Sequence, residues 1–223
     1  LKEIQDDIFD VTFTSPPYGD VGTETFEEIR ARGKGNNPNG THRKYLNVEQ
    51  HIDDWFKWQI EIINELLRVT RTNVYKLIGH FAENIHDDII WYKSNGLPCH
   101  NEGSISNTYE HILIIKKNPK DKVKVNGFGF RNVINGIGVN SQNEFADIHH
   151  AVMNKKLSDL IISKFTSEND FVLDPFMGMG TTAMSCIDFK RDYYGFEICK
   201  EYYDKCMERL NKRNMLNDPF ECD

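Results

Sequence analysis

Residues 171–182, Phe-Val-Leu-Asp-Pro-Phe-Met-Gly-Met-Gly-Thr-Thr, end a short apolar run in an aspartate and turn through two glycines into a helical pattern. Gly178 and Gly180 let backbone approach a ligand closely, and the free N–H groups of a helix start suit an anionic end. A lone Gly-x-Gly is an ordinary strand-to-helix turn, so its setting decides its meaning. Shortly beyond it, residues 193–197 (Tyr-Tyr-Gly-Phe-Glu) read as a second short strand ending in Glu197. In nucleotide-binding α/β folds an acid at that place takes ribose hydroxyls. Near the other end of the chain, Thr14-Ser15-Pro16-Pro17-Tyr18-Gly19 directly follows an apolar strand at residues 8–13. Consecutive prolines stiffen a turn and remove two donors, which leaves the carbonyls as fixed acceptors.

The two motifs together resemble those of the S-adenosylmethionine-dependent DNA amino-methyltransferases of restriction–modification systems. Their order is similar to the β group, with the catalytic motif first, the target-recognition region next and the cofactor motif last. The resemblance extends over most of the chain. Residues 65–69 look like the family's helix end, 109–116 like a late strand, and 148–157 like the segment before the cofactor loop. In that segment His149 and Ala151 match, whereas Ile148, His150, Met153 and Asn154 depart from the pattern. The resemblance implies S-adenosylmethionine as cofactor and double-stranded DNA as substrate, with a homodimer or a cognate restriction endonuclease as further partner. It also implies roles. Ser15 and the carbonyl of Pro16, held by Pro17, would accept hydrogen bonds from an exocyclic amine and favour its pyramidal, nucleophilic form, a use of preorganised acceptors. Tyr18 would stack on a base turned out of the duplex. Asp174, Pro175, Phe176, Gly178 and Gly180 would shape the methionine end of the cofactor pocket, Thr181 and Thr182 would bond its carboxylate, and Glu197 would hold the ribose. Ser-Pro-Pro-Tyr favours cytosine N4 as the target. Adenine N6 is the alternative within the class, and a non-catalytic cofactor-binding or DNA-specificity subunit the alternative outside it. Carbon-5 methylation needs a cysteine nucleophile, and the one Pro-Cys pair, at Cys99, lies in a turn without that setting. Protein glutamine methylation uses an Asn-Pro-Pro-Tyr turn with the motifs in the opposite order.

The elements that must position these residues follow from periodicity. Residues 51–67 carry apolar side chains at helical spacing, and 155–165 do the same before the cofactor strand. The pattern predicts further helices over 81–91 and 199–210, the end of one over 1–7, and strands over 73–78 and 109–116. The expected fold is α/β: a doubly wound, mostly parallel sheet, class I methyltransferase-like with a circularly permuted motif order. Residues 1–223 make a single catalytic domain, and 117–147 form a small irregular target-recognition insert within it. In that insert Phe128 and Phe130 interleave with cations, a pattern that suits phosphate contact with stacking.

The chain has 223 residues, enough for one substantial core. Its formal charge of −7 gives no overall basic character, so nucleic-acid contact must come from local patches. The candidates are Arg30, Arg32, Lys34, Arg43 and Lys44 in a long Gly- and Asn-rich stretch, and Lys122, Lys124 and Arg131 in the insert. Five cysteines without a Cys-x-x-Cys pair read as reduced thiols of a cytoplasmic protein, not a zinc site. His80, His86 and His111 lack a companion carboxylate pattern and read as structural, so no metal is expected. No apolar run approaches the length of a membrane span. Relative to the family pattern, a strand is expected upstream of Leu1, and the stretch from Val69 to His80 is short.

Overall fold

A computed structural model of the chain describes residues 1–16, 52–75, 85–94, 108–118, 120–139 and 152–217. In chain order its elements are β1 (Phe9–Phe13), α1 (Ile52–Val69), β2 (Thr70–Tyr75), β3 (Ile85–Tyr92), β4 (Tyr109–Lys116), β5 (Val133–Ile134), α2 (Lys155–Phe165), β6 (Phe171–Asp174), α3 (Thr181–Asp188), β7 (Asp192–Gly195) and α4 (Lys200–Asn217). The described strands form one seven-stranded sheet in the order β5-β3-β4-β2-β1-β6-β7. β4 runs antiparallel to both its neighbours, and the other pairings are parallel. Six strands therefore share one direction and β4 opposes them.

Helices cover both faces, which is why the central strands are apolar almost throughout. On one face Leu157, Ile161, Ile162 and Phe165 of α2 and Cys186 of α3 pack with Val11, Ile112, Ile114 and Val172. On the other, Ile63, Leu66 and Val69 of α1 pack with Leu113, Ile115 and Leu173. The alternation of β4, Ile112 and Ile114 one way and Leu113 and Ile115 the other, is the period of two expected of a strand buried on both sides. α2 is held at both ends: the Asn154 side chain accepts from Lys156 N at 2.9 Å, and Thr166 closes the far end by bonding Ile162 O. α4 packs on α3 through Cys206 and Leu210 against Ala183. No described helix is long and apolar enough to cross a membrane.

The doubly wound, mostly parallel α/β architecture matches the expectation, but two elements differ from it. Residues 85–92 are a strand and not a helix. Ile89 and Trp91, two apart, share the buried face, and β3 pairs with β4 on one side and β5 on the other. A short apolar run with β-branched residues fits either period, and pairing with two neighbours decides it. Residues 1–7 form turns, not a helix end. Arg68 gathers them, donating to Leu1 O, Ile4 O and the Asp6 carboxylate at 3.0, 2.7 and 2.7 Å. β2 also begins earlier than the pattern predicts, immediately after α1.

The described part of residues 117–147, expected as an insert, does not stand apart from the body. Its first half crosses to the carboxyl end of α2, where Asn126 Nδ2 donates to Ser163 O at 3.0 Å and to Thr166 O at 2.5 Å. The chain then climbs the sheet edge as β5, and Trp91 Nε1 donates to Ile137 O at 2.7 Å. Asn154 Nδ2 reaches Gly138 O at 2.8 Å, at the start of α2.

Candidate functional site

β1 lies between β2 and β6, and the sheet grows outward from these two in opposite directions. The crevice at the carboxyl ends of β1 and β6 is thus the topological switch point, the usual ligand site of an open parallel sheet. Register brings the two chain ends together there, with Val11 beside Val172 and Thr12 beside Leu173. One step beyond, Thr14 Oγ1 donates to Asp174 Oδ1 at 2.8 Å, a buried bond between residues 160 apart in sequence. The proline turn and the glycine loop are therefore joined directly. Ser15 is exposed and Pro16 buried, so the turn leaves the body with the serine outward. Pro17 and Tyr18 lie outside the described residues, as do His149, Ala151, Arg30, Arg32, Lys34, Arg43 and Lys44.

Asp174 does not cap α3. Its Oδ1 also accepts from Phe176 N at 3.1 Å, and the helix opens instead at Gly180 without a side-chain cap. Burial drives the carboxyl above its ordinary value. The nearby Thr182 hydroxyl and the bonds from Thr14 and Phe176 N pull it back, and the Glu197 charge adds to the rise. Gly180 has φ 75°, and a Cβ there would sit 2.5 Å from Cys206 Sγ, so both conformation and space require glycine. Thr181 and Thr182 are buried at the helix start. Thr182 Oγ1 is fully enclosed near the Asp174 carboxylate and makes no hydrogen bond of good geometry among the described residues.

Glu197 is half-buried and ties the site's second strand to the loop. Its Oε2 accepts from Gly178 N and its Oε1 from Cys199 N, each at 2.8 Å. Each oxygen keeps lone-pair capacity for a further donor. Met177 N donates to Phe196 O at 2.9 Å, and the Met177 side chain fills the space where a Cβ on Gly195 would lie. Pro175 is buried, and the Phe176 ring meets Trp58 of α1 with centroids 5.5 Å apart.

Asp174, Pro175, Phe176, Gly178, Gly180, Thr181, Thr182 and Glu197 all gather at this crevice, with Ser15 and Pro16 beside them. Lys122 and Lys124 do not. Lys124 Nζ bonds Ser167 Oγ, in the loop that leads into β6, at the opposite end of the strand from Asp174. Four residues at 3.3 Å each put about 13 Å between those ends. Arg131 is exposed two residues before β5. Phe130 packs edge-on against Phe165, centroids 5.5 Å apart, so of Phe128 and Phe130 only the fully exposed Phe128 is open to stacking. His111 pairs with Asp88 at 2.9 Å.

Three groups at the site escape the motif reading. Thr14 makes the bond that joins the motifs. Ile198, directly after Glu197, is 91% exposed. Arg209 of α4 donates from Nη1 to Met179 O at 2.9 Å and to Thr181 Oγ1 at 3.4 Å. Thr14 and Ile198 had a local signal, their places next to the proline turn and next to Glu197, and Arg209 had none.

The family model described as DNA methylase matches residues 71–208. The Type II methyltransferase M.HpaI of Haemophilus parainfluenzae is 27% identical over 243 residues, covering 95% of this chain and 71% of that protein. Among solved structures, PvuII DNA methyltransferase (cytosine-N4-specific) superposes with a TM-score of 0.68 at 14% identity, over 96% of this chain and 86% of that one. The M1.HpyAVI–SAM complex gives a TM-score of 0.63 at 24% identity, over 94% and 91%.

Proposed function

The chain belongs to the DNA methylase family, and from that premise we propose that it transfers a methyl group from S-adenosylmethionine to the exocyclic N4 amine of a cytosine flipped out of double-stranded DNA. The observation that carries the reading is the buried Thr14–Asp174 bond, which ties the amine-facing turn to the glycine loop.

The site fits the cofactor. An enclosed hydroxyl, Thr182 Oγ1, which makes no hydrogen bond of good geometry among the described residues, stands at an uncapped helix start, a setting that suits a carboxylate. Glu197 retains acceptor capacity for ribose hydroxyls, and the bare Ile198 side chain offers apolar cover to a purine. Asp174, Pro175, Phe176, Gly178 and Gly180 wall the loop side, with His149 and Ala151 assigned to the adjoining segment. When bound, S-adenosylmethionine supplies a methyl group activated on a sulfonium sulfur.

The remaining work belongs to the protein and is chiefly alignment, because in-line displacement at an activated methyl needs proximity more than a strong base. The Ser15 hydroxyl and the Pro16 carbonyl accept the amine hydrogens and localise the nitrogen lone pair. The rigidity of Pro16-Pro17 means these acceptors need little reorganisation as charge develops. Tyr18 stacks on the extruded base, worth about 1–3 kcal/mol. Arg30, Arg32, Lys34, Arg43 and Lys44, close in sequence to the catalytic turn, are assigned the phosphate contacts nearest the base. Lys122, Lys124 and Arg131 would meet only a duplex that extends down the sheet edge, within a recognition insert of residues 117–147. A cytoplasmic enzyme that works with a second copy of itself or a cognate restriction endonuclease completes the reading.

The test is incubation of the purified protein with labelled cofactor and mixed-sequence duplex DNA, followed by nucleoside mass analysis. N4-methylcytosine is the expected product. N6-methyladenine would transfer the assignment to adenine, and cofactor binding without any methylated DNA would make the chain a non-catalytic subunit.

A further inference from the structure

α4 addresses the glycine loop with one face. Cys206 and Leu210, a turn apart, both crowd Gly180, and Arg209 between them reaches over the loop to Met179 O and Thr181 Oγ1. A guanidinium has donors only. Its contact with Thr181 therefore occupies a lone pair of that hydroxyl and leaves the hydroxyl proton to be donated elsewhere. Thr181 is the first residue of α3, whose start lacks a side-chain cap and carries the positive end of the helix dipole. The next hydroxyl, Thr182 Oγ1, is enclosed near Asp174 and makes no hydrogen bond of good geometry among the described residues. A fixed cation, an oriented donor and an open helix start thus converge, and each favours a negative group.

We propose that Arg209 is a positioning residue for the carboxylate end of the cofactor. It sets the Thr181 hydroxyl as a donor and holds a permanent positive charge behind the start of α3. This inference rests on the glycine loop being the cofactor site. Arg209 differs from the loop's own residues in acting from another element, so its removal alters the charge and hydrogen-bond polarity of the site while the loop sequence stays intact.

Two ligands separate this role from simple support of the loop. S-adenosylhomocysteine carries the amino-acid carboxylate, and 5′-methylthioadenosine lacks it while keeping the nucleoside. Dissociation constants for both are measured calorimetrically with the wild type, Arg209→Gln and Arg209→Lys, with thermal melting as a check on folding. Loss of a charge-assisted interaction should weaken S-adenosylhomocysteine by about tenfold or more in Arg209→Gln and leave 5′-methylthioadenosine within about twofold. Arg209→Lys should recover part of the loss, since the charge returns without the fork. If Arg209→Gln does not fold, the same ratio of the two ligands is read in Arg209→Lys. Equal weakening of both ligands would reduce Arg209 to a structural support and overturn the proposal, as would no change in either. A wild type that binds neither ligand would remove the cofactor site itself, and this inference with it.

Discussion

Replacing Thr14 with valine removes one hydroxyl at nearly constant shape, and that hydroxyl is the direct bond between the proline turn and the glycine loop. Thr14 and Asp174 are 3% and 4% exposed, so water cannot replace the lost donor. Asp174 Oδ1 would keep the Phe176 N–H at 3.1 Å, with the Thr182 hydroxyl nearby. With the carboxylate ionised, loss of such a bond costs about 1.5–3 kcal/mol, and with the carboxyl neutral about 0.5–1.5 kcal/mol. The pH dependence follows from the raised carboxyl. The folded protein holds a proton that the unfolded chain releases, so stability is greatest below the unfolded value and falls as pH rises through the raised folded one. Thr14→Val withdraws a bond that favours the charged form, pushing the folded pKa higher still. Its destabilisation should therefore grow with pH. Urea midpoints for wild type and variant across a pH series measure this, with unchanged m confirming a two-state comparison. In an Asp174→Asn background the pH dependence of the Thr14→Val effect should vanish. A destabilisation below about 0.5 kcal/mol, or one independent of pH, would refute the reasoning, because the normal range for the lost bond excludes it.

Gly180→Ala should destabilise by about 1–2 kcal/mol from its left-handed backbone alone, with a further loss from the contact with Cys206 Sγ; adding Cys206→Ala should relieve the second part and not the first, as read from thermal or urea midpoints. Cys186 and Cys206 are buried, which raises their thiols to about 12 and about 11, so brief alkylation of the native protein followed by peptide mass analysis should find both unmodified and the half-buried Cys199 labelled. Burial opposes ionisation of Asp188, but Lys155 and Arg213, each at 2.6 Å, outweigh it and hold the carboxyl below its ordinary value. That contribution to stability is present above the unfolded value and is lost as pH falls through the folded one, so Asp188→Asn should lower stability at neutral pH and flatten its decline in acid, as followed by circular dichroism.

Much of the site was legible in sequence because its residues sit where strands end. An aspartate after an apolar run, a glycine turn and an acid after the next short strand are local patterns, and the backbone of parallel strands carries all of them to one edge. The helices at 155–165 and from 200 onward were legible for the same reason, since their spacing alone commits one face to a core. The roles that arise between distant elements were not. Residues 14 and 174 meet because β1 and β6 pair in parallel, a long-range event that no window of sequence contains. Glu197 holds Gly178 N only once β6 and β7 have paired, and Arg209 reaches Thr181 only once α4 has packed on α3. Residues 85–92 carry a pattern that serves either period, and it was the open edges of β4 and β5 that made them a strand. Lys122 and Lys124 read in sequence as DNA-contact candidates, yet the chain delivers Lys124 to the far end of α2, away from the glycine loop. Composition and spacing determined which chemistries this protein holds. Tertiary pairing decided which side chains share them, because hydrogen bonds and charges act across distances of a few ångströms and take no account of separation along the chain.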